Sequence, residues 1–149
     1  MKNDFNFVNV LLESRIAKLH EIKGCSESEI KELEIKINHI FPPDYREFLQ
    51  IAGHGAGLLF RGTDIYFKNI KELTKEATEL LRDNEESFTL PEDAFVFCMH
   101  QGYEFNYFRF SEGKEPPIYQ YIEGEGEPRI VWHDFKSFLL EEINNNLKK

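Results

Sequence analysis

Two consecutive prolines, Pro42 and Pro43, constrain this chain more than any other feature. Neither carries a backbone N–H, and each turns the residue before it away from helical angles. A helix arriving from Ile30 must therefore stop ahead of them. Upstream, Ser26-Glu27-Ser28-Glu29 reads as a capping box, with Ser26 as N-cap and Glu29 at the third helical position. Ile30, Leu33, Ile37 and Ile40 follow at helical spacing and predict one apolar stripe. Downstream, Pro43 suits the first position of a new helix and Asp44 its first turn. Tyr45, Phe48, Leu49 and Ala52 are spaced to face the core. Gly53-His54-Gly55-Ala56-Gly57 then closes the run with a turn that needs positive φ.

On the N-terminal side, Phe5, Val8, Leu12, Ile16 and Leu19 predict one face of a helix, closed at Lys23-Gly24 with Gly24 as a left-handed cap. On the C-terminal side the pattern changes. Leu58-Leu59-Phe60 and Ile65-Tyr66-Phe67 read as short strands around Arg61-Gly62-Thr63-Asp64. Asn69 with Glu72 marks the start of a helix carrying Ile70, Leu73, Ala77, Leu80 and Leu81. Strands are expected at 94–99, 105–110, 118–122 and 129–133. They are joined by a turn at Gln101-Gly102-Tyr103 and a hairpin connection at 124–128. Asp134 is placed to cap a last helix with Phe135, Phe138, Leu139 and Ile143 inward. Helices, then consecutive strands on short connections, then a helix make an α+β fold in one domain over 1–149. Its expected parts are N-terminal helices, a mainly antiparallel sheet of about five to six strands packed against helices, and a C-terminal helix.

A chain of 149 residues buries about two thirds of the surface it would expose unfolded, so a real core is expected. The formal net charge of -9 argues against a nucleic-acid partner, whose phosphates such a surface repels. Cys25 and Cys98 lie far apart without C-x-x-C spacing, which points to free thiols in a reducing cytoplasm. Asn6, Asn9 and Glu13 interrupt any apolar signal segment, and the longest apolar run, 95–99, is too short for a bilayer.

No residue set carries catalytic spacing, so the chain is read as a non-enzyme without cofactor or metal. His54, Cys98, His100 and His133 include no two with ligand spacing on one element, whereas a closed zinc site needs four ligands. Cys98 and His100 share a strand face and read as a buried thiol beside a rim imidazole, not as nucleophile and base. The glycine turn lacks the Lys-Ser/Thr of a phosphate loop. Glu34 is open to three readings: solvated, paired with Arg46, or anchoring the glycine turn through backbone N–H groups. The expected binding surface is acidic and aromatic, and its expected partner is a protein. Glu112 and Glu115 lie near one end of a strand pair, and Glu123, Glu125 and Glu127 lie in the last hairpin loop. They are expected to rim a concave face lined by Tyr103, Tyr107, Tyr119 and Tyr121, with Tyr107 and Tyr119 the chosen contacts. Strand alternation turns half of these tyrosines inward.

The run from Ile30 to Gly57 resembles the signature of the SUKH superfamily, which includes Smi/Knr-type yeast regulators of cell-wall synthesis. Glu34 matches the helix glutamate of that signature. Pro43, Tyr45, Phe48 and Leu49 resemble its proline, aromatic and Phe-Leu positions, and Gly55 and Gly57 its glycine turn. Two departures stand out: Phe41-Pro42 replaces the leucine before the proline, and Ala56 splits the glycines. The order of the remainder, through His133 to Leu139, is also similar, so the resemblance covers most of the chain. It implies structural roles for the matched residues. It also implies either an immunity protein that binds and neutralises a toxin, or a non-catalytic regulatory or scaffold domain.

Overall fold

A computed structural model describes residues 6–147 of the chain. Helix α1 spans Phe7–Glu13, with the Asn6 side chain accepting from Asn9 N. It is shorter than the sequence predicts, and its buried face is Phe7 and Leu11 rather than Val8 and Leu12; Phe5 lies outside the described residues. Arg15 takes a left-handed φ of 63° just after it, so Ile16 packs from a loop and Leu19 is left exposed. Gly24 is not a left-handed cap. It is small because a Cβ there would stand 1.7 Å from the carbonyl oxygen of Gln50.

Helix α2, Glu27–Ile37, starts on the expected capping box. Glu29 N donates to Ser26 Oγ at 3.1 Å, and Ser26 N donates to Glu29 Oε1 at 2.8 Å. It ends at Asn38 with φ 60°, one turn before the prolines, which throws Ile40 out to solvent instead of extending the stripe. Helix α3, Pro43–Ala52, begins at Pro43 and buries Tyr45, Phe48, Leu49 and Ala52 as its spacing predicts. At the glycine turn, Gly57 adopts φ +62°, and a Cβ on it would meet Ala17 Cβ at 2.7 Å. Strands β1 (Ile22–Lys23) and β2 (Gly55–Ala56) pair antiparallel across this turn.

Leu58-Leu59-Phe60 and Ile65-Tyr66-Phe67 are not strands. Successive reverse turns, Leu59 N to Ala56 O, Arg61 N to Leu58 O and Thr63 N to Phe60 O, use up the backbone groups that a strand would share. Strand β3 is only Thr63–Asp64. Helix α4, Phe67–Asp83, starts two residues before Asn69, because Phe67 N already donates to Gly53 O at 2.7 Å. Strands β4 (Ala94–His100), β5 (Glu104–Arg109), β6 (Ile118–Ile122) and β7 (Arg129–Trp132) follow, and helix α5 (Phe135–Leu147) closes the fold. Ser137 N donates to Asp134 Oδ1 at 2.8 Å, the expected cap on α5. The sheet runs β3-β4-β5-β6-β7, antiparallel throughout, so the α+β expectation with a five-stranded sheet and a terminal helix holds.

Alternation splits the sheet into two lined faces. Phe95, Phe97 and Phe108 meet α3 and α5, where the Tyr45 ring lies 5.3 Å from both Phe108 and Phe135. Phe105, Tyr107, Tyr119 and Tyr121 share the other face, as their cross-strand pairing requires. Helix α4 packs along β4, whose outer edge β3 is too short to cover. There Thr74 Oγ1 accepts from Val96 N at 3.0 Å.

Candidate functional site

The acidic and tyrosine residues predicted as a single rim are not gathered into one. Tyr107 is 4% exposed and stacks on Tyr119 with ring centroids 4.8 Å apart and 3° between planes. Tyr121 is fully buried, and its hydroxyl is held by Asn84 and Glu86 from the segment after α4. Tyr107 and Tyr121 are therefore packing groups, whereas Tyr119 is half-buried and Tyr103 is exposed. Glu112 accepts from the Tyr119 hydroxyl at 3.0 Å and lies with exposed Glu115 on the β5–β6 connection. Glu123, Glu125 and Glu127 lie on the β6–β7 connection at the opposite end of β6. The five residues of that strand separate the two acidic loops by roughly 17 Å. Glu123 accepts from Asn84 at 3.1 Å, and Glu125 pairs with Arg129 at 3.3 Å.

The family-motif residues also resolve. Glu34 is 8% exposed, and its Oε2 accepts from Phe41 N at 2.8 Å and from Arg46 Nε at 3.2 Å. It thus clamps the proline junction to α3 and does not anchor the glycine turn. That turn is held instead by His54 N donating to Lys23 O at 2.8 Å and Leu58 N donating to Ile16 O at 2.9 Å. Arg46 bridges Glu34 to Glu27, and these two carboxylates raise its already high pKa further.

A cleft lined by residues of several elements lies elsewhere among the described residues, between the α5-facing side of the sheet and the C-terminal half of α5. It is a cleft of about 570 Å³. Cys98, Asn106, Trp132 and Phe138 form its apolar and polar lining. Thr63, His100, Glu104 and Gln120 stand at the sheet's end, with Arg61, Glu141 and Glu142 facing them. Thr63 Oγ1 and His100 Nδ1 are 2.8 Å apart, and Gln120 donates to Glu104 Oε2 at 3.3 Å. Burial pushes the Glu104 carboxyl up from its ordinary value, with His100 pulling it down. Two buried polar atoms on this cleft have no hydrogen-bond partner among the described residues: Asn106 Oδ1 and Trp132 Nε1. Such groups are costly to leave unmade. Apart from the shared face of Cys98 and His100, local residue order does not display this cleft, because its residues come from β3, β4, β5, β6, β7 and α5.

Cys98 and His100 do line one cleft, as their shared strand face predicts. Burial pushes the Cys98 thiol far above its ordinary value, so it is a neutral packing group and not a thiolate nucleophile. His133 is outside the cleft, with its side chain 83% exposed. His54 joins a different group. Cys25 Sγ, a Glu29 carboxylate oxygen and a His54 ring nitrogen lie within 4.8 Å of one another, the right atom types for a metal. Their present bonding is already explained. Glu29 binds Ser26 N–H and sits 3.0 Å from His54 Nε2, while burial followed by the Glu29 charge raises the Cys25 thiol to about 12. This trio ties the glycine turn to the first turn of α2.

Among the described residues no helix is long and apolar enough to cross a membrane. No curated protein matches the chain. The helix–proline–helix run, the Glu34 clamp and the antiparallel sheet that follows all fall inside residues 27–139, which match the family model described as SMI1-KNR4 cell-wall, and the chain therefore belongs to that SUKH family.

Proposed function

We propose that this chain is a small acidic immunity protein of the cytoplasm. It binds and neutralises a cognate toxin, basic and nuclease-like, of a bacterial polymorphic or contact-dependent toxin system. The observation that carries this reading is the cleft beside α5, which is concave and rimmed by the carboxylates of Glu104, Glu141 and Glu142. The net charge of -9 supports it, because an acidic surface speeds encounter with a basic protein and focuses it on a concave patch. A binding role is also favoured over catalysis by the neutral Cys98 thiol, which removes the cleft's nucleophile.

Family membership equally supports a second reading, a non-catalytic regulatory or scaffold domain of the Smi/Knr kind that binds a non-toxin protein. Co-expression with any toxin domain encoded beside this gene separates the two. The immunity reading expects restored growth together with a complex that survives gel filtration. Neither rescue nor complex with that domain would sink it and leave the regulatory reading.

A further inference from the structure

We propose that Cys25, Glu29 and His54 form a three-ligand site for a soft divalent cation of the zinc class. The ion takes Cys25 Sγ, His54 Nε2 and one Glu29 carboxylate oxygen, with water in the fourth position. This site is separate from the cleft beside α5 and does not depend on any protein partner.

Three segments deliver the ligands, and each is held by its backbone. Cys25 follows β1, and its N–H donates to Leu49 O at 2.8 Å. His54 precedes β2, and its N–H donates to Lys23 O at 2.8 Å. Glu29 is fixed in the first turn of α2 by the capping box with Ser26. Pairing of Lys23 with Gly55 brings the two loop ligands together, and 25 residues separate His54 from Glu29, so sequence spacing hides the group. Gly53 leaves room for the sulfur, since a Cβ there would stand 2.3 Å from Cys25 Sγ. The three donor atoms lie within 4.8 Å of one another. In a tetrahedron at zinc bond lengths, neighbouring donors stand about 3.5 Å apart. His54 Nε2 is 3.0 Å from Glu29 Oε1, and both side chains are more than one third exposed, so small rotations open the space. Charge fits as well. One thiolate and one carboxylate neutralise a doubly charged cation, and the thiol proton leaves to solvent as the metal–sulfur bond forms. Thiolate and imidazole select zinc-class ions over Mg²⁺ and Ca²⁺, which prefer oxygen ligands. Water reaches the group from a pocket of about 280 Å³ lined by Glu29, Phe67 and Lys71, and the Phe67 ring lies 5.5 Å from His54. Lys71 favours the Cys25 thiolate but opposes a cation; it is exposed, and its amine, 4.5 Å over the Phe67 ring, can swing into solvent.

The test titrates the full, untagged chain with Co²⁺, whose bond to a thiolate gives a charge-transfer absorption band, and then displaces it with Zn²⁺. The expected result is one Co²⁺ per chain, a thiolate band, and loss of that band on adding Zn²⁺. Cys25→Ser should abolish the band. His54→Gln should weaken binding more than about a hundredfold, beyond what residues outside the ligand set contribute. Zn²⁺, and not Mg²⁺, should also raise the melting temperature of the parent chain, because an ion that binds only the folded form stabilises it. If Cys25→Ser does not fold, His54→Gln at its exposed position carries the test. Absence of a thiolate band, a band that survives Cys25→Ser, undiminished affinity in His54→Gln, or an equal rise in melting temperature with Mg²⁺ overturns the site.

Discussion

Tyr45 is the residue on which the core turns. It is fully buried, and its ring lies within 6.4 Å of Phe41, Phe48, Phe95, Phe97, Phe108 and Phe135. Its hydroxyl has no partner among the described residues, and burial keeps it neutral. The ring is therefore what this position uses. Tyr45→Phe removes an unsatisfied polar atom while keeping the ring, and should leave stability unchanged or raise it by about 1 kcal/mol. A loss of that size in urea unfolding would mean the hydroxyl is satisfied in solution. Gly24 makes the opposite point, since its missing side chain is what matters. Gly24→Ala drives a Cβ into the Gln50 carbonyl and should cost more than about 3 kcal/mol or abolish folding. Gly124→Ala, at φ +87° with open space around it, should cost only about 1 to 2 kcal/mol, all of it backbone strain. Equal losses at the two glycines would contradict the close approach of α3 to the loop before α2.

Elements in this fold are joined by carboxylates placed at their ends. Glu34 holds the Phe41 N–H and the Arg46 guanidinium, and so fixes the angle between α2 and α3. Glu34→Ala leaves the buried Phe41 N–H without its acceptor and Arg46 with Glu27 alone, and should cost on the order of 3 kcal/mol. Glu34→Gln keeps an acceptor for Phe41 N and should cost about half as much, a ranking that thermal melts can check. Asp93 does similar work where β5 ends, accepting from Arg109 Nε at 2.8 Å and Ser111 N at 2.9 Å. Burial alone would raise its carboxyl, but those hydrogen bonds outweigh it and hold the value at about 2, below the ordinary 3.8. A folded-state value below the unfolded one stabilises fully above about pH 4, and that contribution is lost as pH falls toward about 2. Denaturant titrations between about pH 5 and pH 2 should therefore show a shallower acid limb for Asp93→Asn than for the parent chain. Identical slopes would remove Asp93 from the account.

At the scale of the whole molecule, charge and shape divide the labour. The net charge is -9, and Glu123, Glu125 and Glu127 stand on the β6–β7 connection, outside the cleft beside α5. Glu125→Lys with Glu127→Lys should then slow association with a basic partner about tenfold and flatten its salt dependence, with little change in dissociation, because neither residue lines the cleft. A changed dissociation rate with unchanged association, read by surface plasmon resonance, would place the contact on the loop itself. Much of this architecture was legible in the chain. Ser26 and Glu29, Pro42-Pro43, the Tyr45, Phe48 and Leu49 spacing, strands at 94–99 and 118–122, and the Asp134 cap act through neighbours a few residues away, which local order displays. The failures share one cause. Gly24 is small because of Gln50, α4 starts at Phe67 because of Gly53, and Tyr107 is buried because it stacks on Tyr119 in the next strand. Local residue order was enough for the break between α2 and α3, the consecutive strands from 94 onward and the family resemblance. Which acidic groups converge depends on long-range packing, because the cleft is assembled from five strands and a helix whose registers are set across the whole sheet.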